Sequence, residues 1–103
     1  MAKQTPEGKV KAAVKKILDE FAVYHFSPAA NGYGRVGIPD IICCVSGFFL
    51  AIECKAGKGT TTLLQDRELN AINEAGGACL IINETNVESL RPVLRSLMQG
   101  ANK

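Results

Sequence analysis

Apolar positions along this chain follow first a helical period, then the period of strands, then helix and strand once more. Val10, Val14, Ile17, Leu18 and Phe21 recur at steps of three and four, the spacing of a helix that turns one stripe toward a core. Thr5-Pro6-Glu7 opens that helix, with threonine as N-cap, proline at the first helical position and an acid in the first turn. Ala22 to Ser27 reads as a short strand. Ile38 to Lys55 contains two apolar strands joined at Ser46-Gly47, a dipeptide suited to a tight hairpin turn. Thr62 caps a second helix that runs to about Ala75 and ends at Gly76-Gly77, with Gln65, Leu69 and Ile72 on one stripe. Ala78 to Asn83 is an unbroken apolar run, the pattern of a strand buried on both faces. Val87 to about Gln99 forms a last helix with Leu90, Val93, Leu94 and Leu97 inward. Pro92 is a flaw in it unless its turn begins near Leu90-Arg91. The resulting order, α-β-β-β-α-β-α, predicts an α/β fold.

The hairpin carries the candidate chemistry. With Ser46-Gly47 as the whole loop, Val45 faces Phe48, Cys44 faces Phe49, and the register continued outward sets Asp40 opposite Glu53. Opposed residues of an antiparallel pair have Cβ atoms about 4.5–5.5 Å apart and project from one face. Lys55 shares that face, and Cys54 points away. Two carboxylates that close repel by roughly 4 kcal/mol at about 4 Å and an effective dielectric near 20. A hard divalent cation such as Mg²⁺ or Mn²⁺ resolves the repulsion, since it favours carboxylate oxygens and keeps several waters. The bland reading has Asp40 starting a strand after a proline turn while Glu53 pairs with Lys55.

Two further residues admit two readings each. Glu7 extends the inward stripe of the first helix, and it also suits the positive end of the helix dipole. Gln65 faces the sheet near Lys55, yet Thr62-x-x-Gln65 is also a capping box that occupies the glutamine locally. Lys9, Lys11, Lys15 and Lys16 lie off the apolar stripe, either as a solvated face or as phosphate contacts. His25, the single histidine, falls in a strand and reads as structural.

Composition narrows the class without deciding it. A chain of 103 residues makes one domain, 1–103, with loose tails at 1–4 and 100–103. Its hydrophobic share of 47% and charged share of 21% are ordinary for a globular protein. The N-terminus lacks the apolar core of a signal peptide, and no apolar run reaches transmembrane length, so no membrane association is expected. Cys43, Cys44, Cys54 and Cys79 all fall in apolar strand-like runs without a C-x-x-C pair. Adjacent Cys43 and Cys44 point to opposite faces and cannot share a zinc ion, so buried free thiols in a reducing cytoplasm are expected. A net charge of +2 permits nucleic-acid binding without requiring it.

Two glycine-rich segments imitate nucleotide loops and fail the test of context. The segment from Asn31 to Gly37 leads into a strand where a dinucleotide loop opens a helix, and Gly57-Lys58-Gly59-Thr60 lacks the first glycine and the hydroxyl of a Walker loop. No nucleotide cofactor is therefore expected. Tyr33 and Arg35 beside the acids instead suit a phosphodiester. Together with Lys58, Lys11 and Lys15 they form the expected nucleic-acid-binding set.

The order of elements, with Pro39-Asp40 followed by Glu53-Cys54-Lys55, resembles the PD-(D/E)XK nuclease superfamily. More narrowly, Gly34-Arg35-Val36-Gly37-Ile38-Pro39-Asp40, Glu53-Cys54-Lys55 and Gln65 look like the VRR-NUC family, in the minimal stand-alone form found in phages. The resemblance covers Glu7 to Asn83. It implies a restriction-endonuclease-like core with a central mixed four-stranded sheet flanked by helices. It implies that Asp40, Glu53 and the Cys54 carbonyl hold Mg²⁺ or Mn²⁺, with Glu7 near the metal, that Lys55 acts on water or on developing charge, and that Gln65 is an accessory catalytic residue. It further implies an endonuclease acting on branched DNA such as four-way junctions, as a homodimer, in the host cytoplasm if phage-encoded. A non-catalytic nucleic-acid-binding or assembly module, or a nuclease acting on RNA, remains open on sequence grounds.

Overall fold

The computed structural model describes residues 4–29 and 35–100. Helix α1 (Pro6–Glu20) starts as its sequence predicts, with Thr5 Oγ1 accepting a 2.9 Å bond from the Gly8 amide. It stops where Ala22 enters the left-handed region at φ 55° and the Val23 amide donates back to the Leu18 carbonyl, at 2.9 Å. Ala22, expected to open the first strand, therefore closes the helix. Strand β1 is correspondingly short (Tyr24–Phe26). His25 Nε2 lies 2.7 Å from Asp19 Oδ1, a local tie between β1 and the end of α1.

Strands β2 (Ile41–Val45) and β3 (Phe48–Cys54) form the predicted hairpin, in the predicted register. Ser46 and Gly47 form its two-residue loop at φ 52° and 90°, the positive angles that match the twist of the flanking strands. Ladder pairing runs from Val45↔Phe48 to Ile41↔Ile52 and stops there. Asp40 thus lies one residue beyond the ladder and not in a paired position opposite Glu53. Its preceding proline offers no amide for pairing, and its carboxylate bonds to β3 in place of its backbone.

Helix α2 (Leu63–Glu74) connects β3 to β4 (Ala78–Ile82), which pairs parallel with β3. The sheet is mixed and four-stranded, ordered β1-β2-β3-β4. After β4, a 3₁₀ turn at Val87–Ser89 precedes helix α3 (Leu90–Gly100). Pro92 falls in the first turn of α3, where an amide has no carbonyl to meet, so the anticipated flaw does not arise.

The sheet's two faces are covered unequally. Ile41, Cys43, Val45, Leu50, Ile52, Cys54 and Ile82 join Val10, Val14, Ile17 and Leu18 of α1 and Leu90 and Leu94 of α3 in one core. Among the described residues the opposite face receives α2 alone. That helix covers most of the β3–β4 half, so Ala51 and Glu53 are buried, while Tyr24, Phe26 and Cys44 on the β1–β2 half and Phe49 at the hairpin end of β3 are exposed. Two expectations are corrected here. Edge strand β4 is not buried on both faces, since Ile81 is 47% exposed, and Cys44 is an exposed thiol. No helix of the described residues is long and apolar enough to cross a membrane.

Candidate active site

Glu53 is the one charged residue among the buried residues of the described chain, 2% exposed on the face of β3 that α2 covers. Burial drives its carboxyl up first, and neighbouring Asp40 adds to this, so that its pKa rises to about 7 against the pull of Lys55. Lys55 follows Glu53 by two residues and its backbone amide donates to the Ile82 carbonyl at 2.9 Å, extending the β3–β4 pairing. That anchoring sets its ammonium 3.3 Å from Glu53 Oε2, with the side chain only 12% exposed.

Gln65 approaches the same oxygen from α2, its Nε2 donating to Glu53 Oε2 at 3.1 Å. The capping box is also present. Gln65 Oε1 accepts from the Thr62 amide at 2.9 Å, and the Gln65 amide donates to Thr62 Oγ1 at 3.1 Å. The two readings of Gln65 are therefore compatible, because an amide side chain offers an acceptor to the cap and a donor to the acid. Among the described residues Glu53 Oε1, which is buried, has no hydrogen-bond partner. An acceptor without a partner in the interior is costly, and it marks the direction in which Glu53 has bonding capacity left.

Asp40 completes the cluster at the end of the sheet. Its Oδ2 accepts from the Cys54 amide at 2.8 Å, which fixes the carboxylate across the strand ends. Its Oδ1 lies 3.3 Å from Lys11 Nζ, and the same ammonium lies 3.6 Å from Glu7 Oε2. Burial opposes the charge on Lys11, but the charge and hydrogen bond of Asp40, with Glu7 behind them, raise its pKa overall. Cys54 meets the cluster through its backbone, because its side chain belongs to the core and burial pushes its thiol up to about 12. Burial does the same to Cys43. Neither thiol is a thiolate at neutral pH.

Helices on opposite faces thus reach one sheet end, α1 through Lys11 and Glu7 and α2 through Gln65. Gly37 permits the second approach. Its φ is +79°, and a Cβ there would lie 2.5 Å from the Leu64 carbonyl atoms, so the segment leading to Asp40 rests directly on the first turn of α2.

The expected nucleic-acid contacts distribute less tightly. Arg35 Nη2 pairs with Glu68 Oε2 at 3.0 Å, one turn beyond Gln65, and lines a cavity of about 380 Å³ with Phe49, Ala71 and Ile72. Lys58 is exposed on the β3–α2 connection, Lys15 is half-buried on α1, and Tyr33 lies outside the described residues. Lys11 is the exception, standing among the acids and not on a separate basic face. The sequence signal for this was the i, i+4 spacing from Glu7, which stacks the two side chains on one helix surface.

Two carboxylates, two ammoniums and one amide converge here, and Glu53 keeps an open buried oxygen. Among the described residues no group of three or more His, Cys, Asp and Glu side chains is drawn together closely enough to hold a metal ion. Asp40 and Glu53 by themselves suit a hard cation that retains most of its water, which one or two carboxylates suffice to bind. No protein-family model matches the chain, and no curated protein does.

Proposed function

We propose that this chain is a metal-dependent endonuclease of PD-(D/E)XK type, hydrolysing phosphodiester bonds in DNA with Mg²⁺ or Mn²⁺. The observation that carries the proposal is Glu53, buried with one carboxylate oxygen unpartnered among the described residues, beside a second acid and a lysine whose side chain is 12% exposed. A protein interior does not keep such a group without a use, since apolar residues of similar volume cost less. Asp40 and Glu53 would hold the cation, which when bound supplies Lewis-acid activation of water and of a phosphoryl oxygen.

The remaining residues have roles that follow from their contacts. The Cys54 amide and Gln65 hold the two carboxylates in position, and this orienting function is what a preorganised site requires. Lys55 places a positive charge next to Glu53, where it offsets negative charge that develops on a phosphoryl group during in-line displacement. Branched DNA such as a four-way junction is the substrate class that the likeness to VRR-NUC nucleases favours. Two-fold pairing of the chain would present two sites for paired cuts. The uncovered sheet face supports such pairing. Tyr24, Phe26 and Phe49 are 69%, 48% and 46% exposed. At about 200 Å² per aromatic they offer roughly 300 Å² per copy. Doubled across a two-fold axis, that is a substantial apolar centre for an interface of about 1,200–2,000 Å².

The test uses linear duplex, single-stranded DNA, a four-way junction and structured RNA, each with Mg²⁺, Mn²⁺ or EDTA. Metal-dependent cleavage of the junction, lost in both Asp40→Asn and Glu53→Gln, is the expected result. Near-normal cleavage by either variant removes these acids from the chemistry. Preferential cutting of RNA transfers the site to another substrate, and metal-independent binding without cleavage identifies a non-catalytic module.

A further inference from the structure

Building on the metal-binding reading of Asp40 and Glu53, we propose that Lys11 is the chain's own substitute for the divalent cation, held between Asp40 and Glu7 in the metal-free protein and displaced when the ion binds. The two lysines of the site occupy different kinds of position. Lys55 contacts Glu53 Oε2, the oxygen already shared with Gln65, and leaves Oε1 open. Lys11 contacts Asp40 Oδ1, which is the oxygen left for a cation once Oδ2 has accepted from the Cys54 amide. One lysine therefore flanks the open oxygen of its acid, and the other sits on it.

Exposure separates them in the same sense. The Lys55 side chain is 12% exposed and enclosed, whereas that of Lys11 is 36% exposed at the end of a flexible four-carbon stem. Lys11 can therefore withdraw into solvent without disturbing the core. A divalent cation on Asp40 Oδ1 and an ammonium at 3.3 Å from the same atom repel each other, so binding of one entails departure of the other. Glu7 gives the ammonium a second partner at 3.6 Å and so strengthens its hold in the absence of metal. The consequence is a built-in competitor. It neutralises Asp40 while the site is empty of metal, and it makes metal affinity lower than the two acids alone would give.

Titration calorimetry with Mn²⁺ tests this on the intact protein, comparing the unaltered chain with Lys11→Met, Lys11→Gln and Lys15→Met. Lys15 lies one turn further along α1 and makes no ion pair among the described residues, so its variant reports the general effect of one fewer charge. Lys11→Met and Lys11→Gln should tighten Mn²⁺ binding about threefold or more, the equivalent of losing one partly exposed ion pair, while Lys15→Met changes it less. Circular dichroism in EDTA should show lower melting temperatures for the Lys11 variants, with a larger rise on adding Mn²⁺. Unchanged or weaker Mn²⁺ binding in the Lys11 variants overturns the proposal, as does a gain no greater than that of Lys15→Met. If neither the unaltered chain nor the Lys11 variants bind Mn²⁺, the metal-binding reading falls together with it. If the unaltered chain binds and Lys11→Met binds equally, only the competitor role falls.

Discussion

Glu53→Gln provides the most quantitative test of the site, because it acts on stability in the absence of metal and substrate. In the folded chain the Glu53 carboxyl is raised from an ordinary 4.5 to about 7, with burial the largest cause and Asp40 the next. A carboxyl so displaced is protonated in the folded chain while it is already ionised in the unfolded one, between those two values. The folded state then binds more protons, so stability is fully present below about pH 4.5 and falls as pH rises through 7. At about 1.4 kcal/mol per pH unit, the loss attributable to this group is about 3 kcal/mol by pH 8. Glu53 is buried, so solvent screening does not reduce the figure much. Urea unfolding at pH 5, 6, 7 and 8 in EDTA, followed by circular dichroism, measures the loss. Titrating groups away from the site contribute to both proteins alike, so the difference between the unaltered chain and Glu53→Gln reports the Glu53 carboxyl together with its coupling to Asp40 and Lys55. The expected result is a difference that grows in favour of the amide by roughly 2–3 kcal/mol from pH 5 to pH 8, since a part of the loss already falls below pH 5. The amide still leaves one polar atom without a partner, at a cost of about 1–3 kcal/mol, so the change with pH is more diagnostic than the offset at any one pH. Parallel pH profiles for the two proteins would refute the account of Glu53 as a desolvated acid.

Other perturbations separate the roles of the surrounding residues. Lys55→Ala should reduce the single-turnover cleavage rate by roughly 10²-fold while DNA affinity measured in Ca²⁺ changes little, and weakened binding with an intact rate would make the lysine a phosphate anchor instead. Gly37→Ala should destabilise the chain by at least about 2 kcal/mol in urea, since it combines a positive φ with a Cβ 2.5 Å from the Leu64 carbonyl atoms. Gln65→Glu would set a third carboxylate against Glu53 and leave Oε2 without that donor, so its melting temperature should fall below that of Gln65→Met at pH 8. A maleimide should modify Cys44 in the folded chain and reach Cys43 and Cys54 only on unfolding, a difference that intact-mass measurement resolves.

The hairpin was the most legible part of the sequence because side-chain alternation and a two-residue turn specify register together. Ser46-Gly47 fixed the pairing from Val45↔Phe48 to Ile41↔Ile52, and Glu53 and Lys55 followed from counting, whereas Gln65 rests on the stripe of α2, which leaves it between the sheet and a capping box. Asp40 followed only in part. Alternation says which face a residue would take in a ladder, and Pro39 ends the ladder one residue early. The helix starts at Thr5 and Thr62 were readable because caps are local chemistry, whereas Ala22 was not, since its left-handed turn depends on how α1 must close against β1. Burial of β4 was overestimated for a global reason. An apolar run cannot indicate that its strand lies at the edge of the sheet or that one helix covers that face incompletely. The sequence leaves Lys11 between a solvated face and a phosphate contact, because its meeting with Asp40 links positions 29 residues apart, which the helical spacing from Glu7 does not report.

The incomplete cover over the β1–β2 half of the sheet has a practical consequence for how this chain is handled. Dyes such as ANS fluoresce on exposed apolar surface and are commonly used to recognise loosened, molten states. Tyr24 and Phe26, with ring centroids 6.4 Å apart, and nearby Phe49 present such surface in the fully folded chain. Wherever a second copy does not cover this face, dye fluorescence will therefore be high before any heating and will not distinguish a loosened core from an intact one. Near-ultraviolet ellipticity has its own difficulty, since the chain has no tryptophan and Tyr24 is 69% exposed. Far-ultraviolet ellipticity and hydrogen exchange at the core amides of β2 and β3 are the observables that follow the native state of this protein.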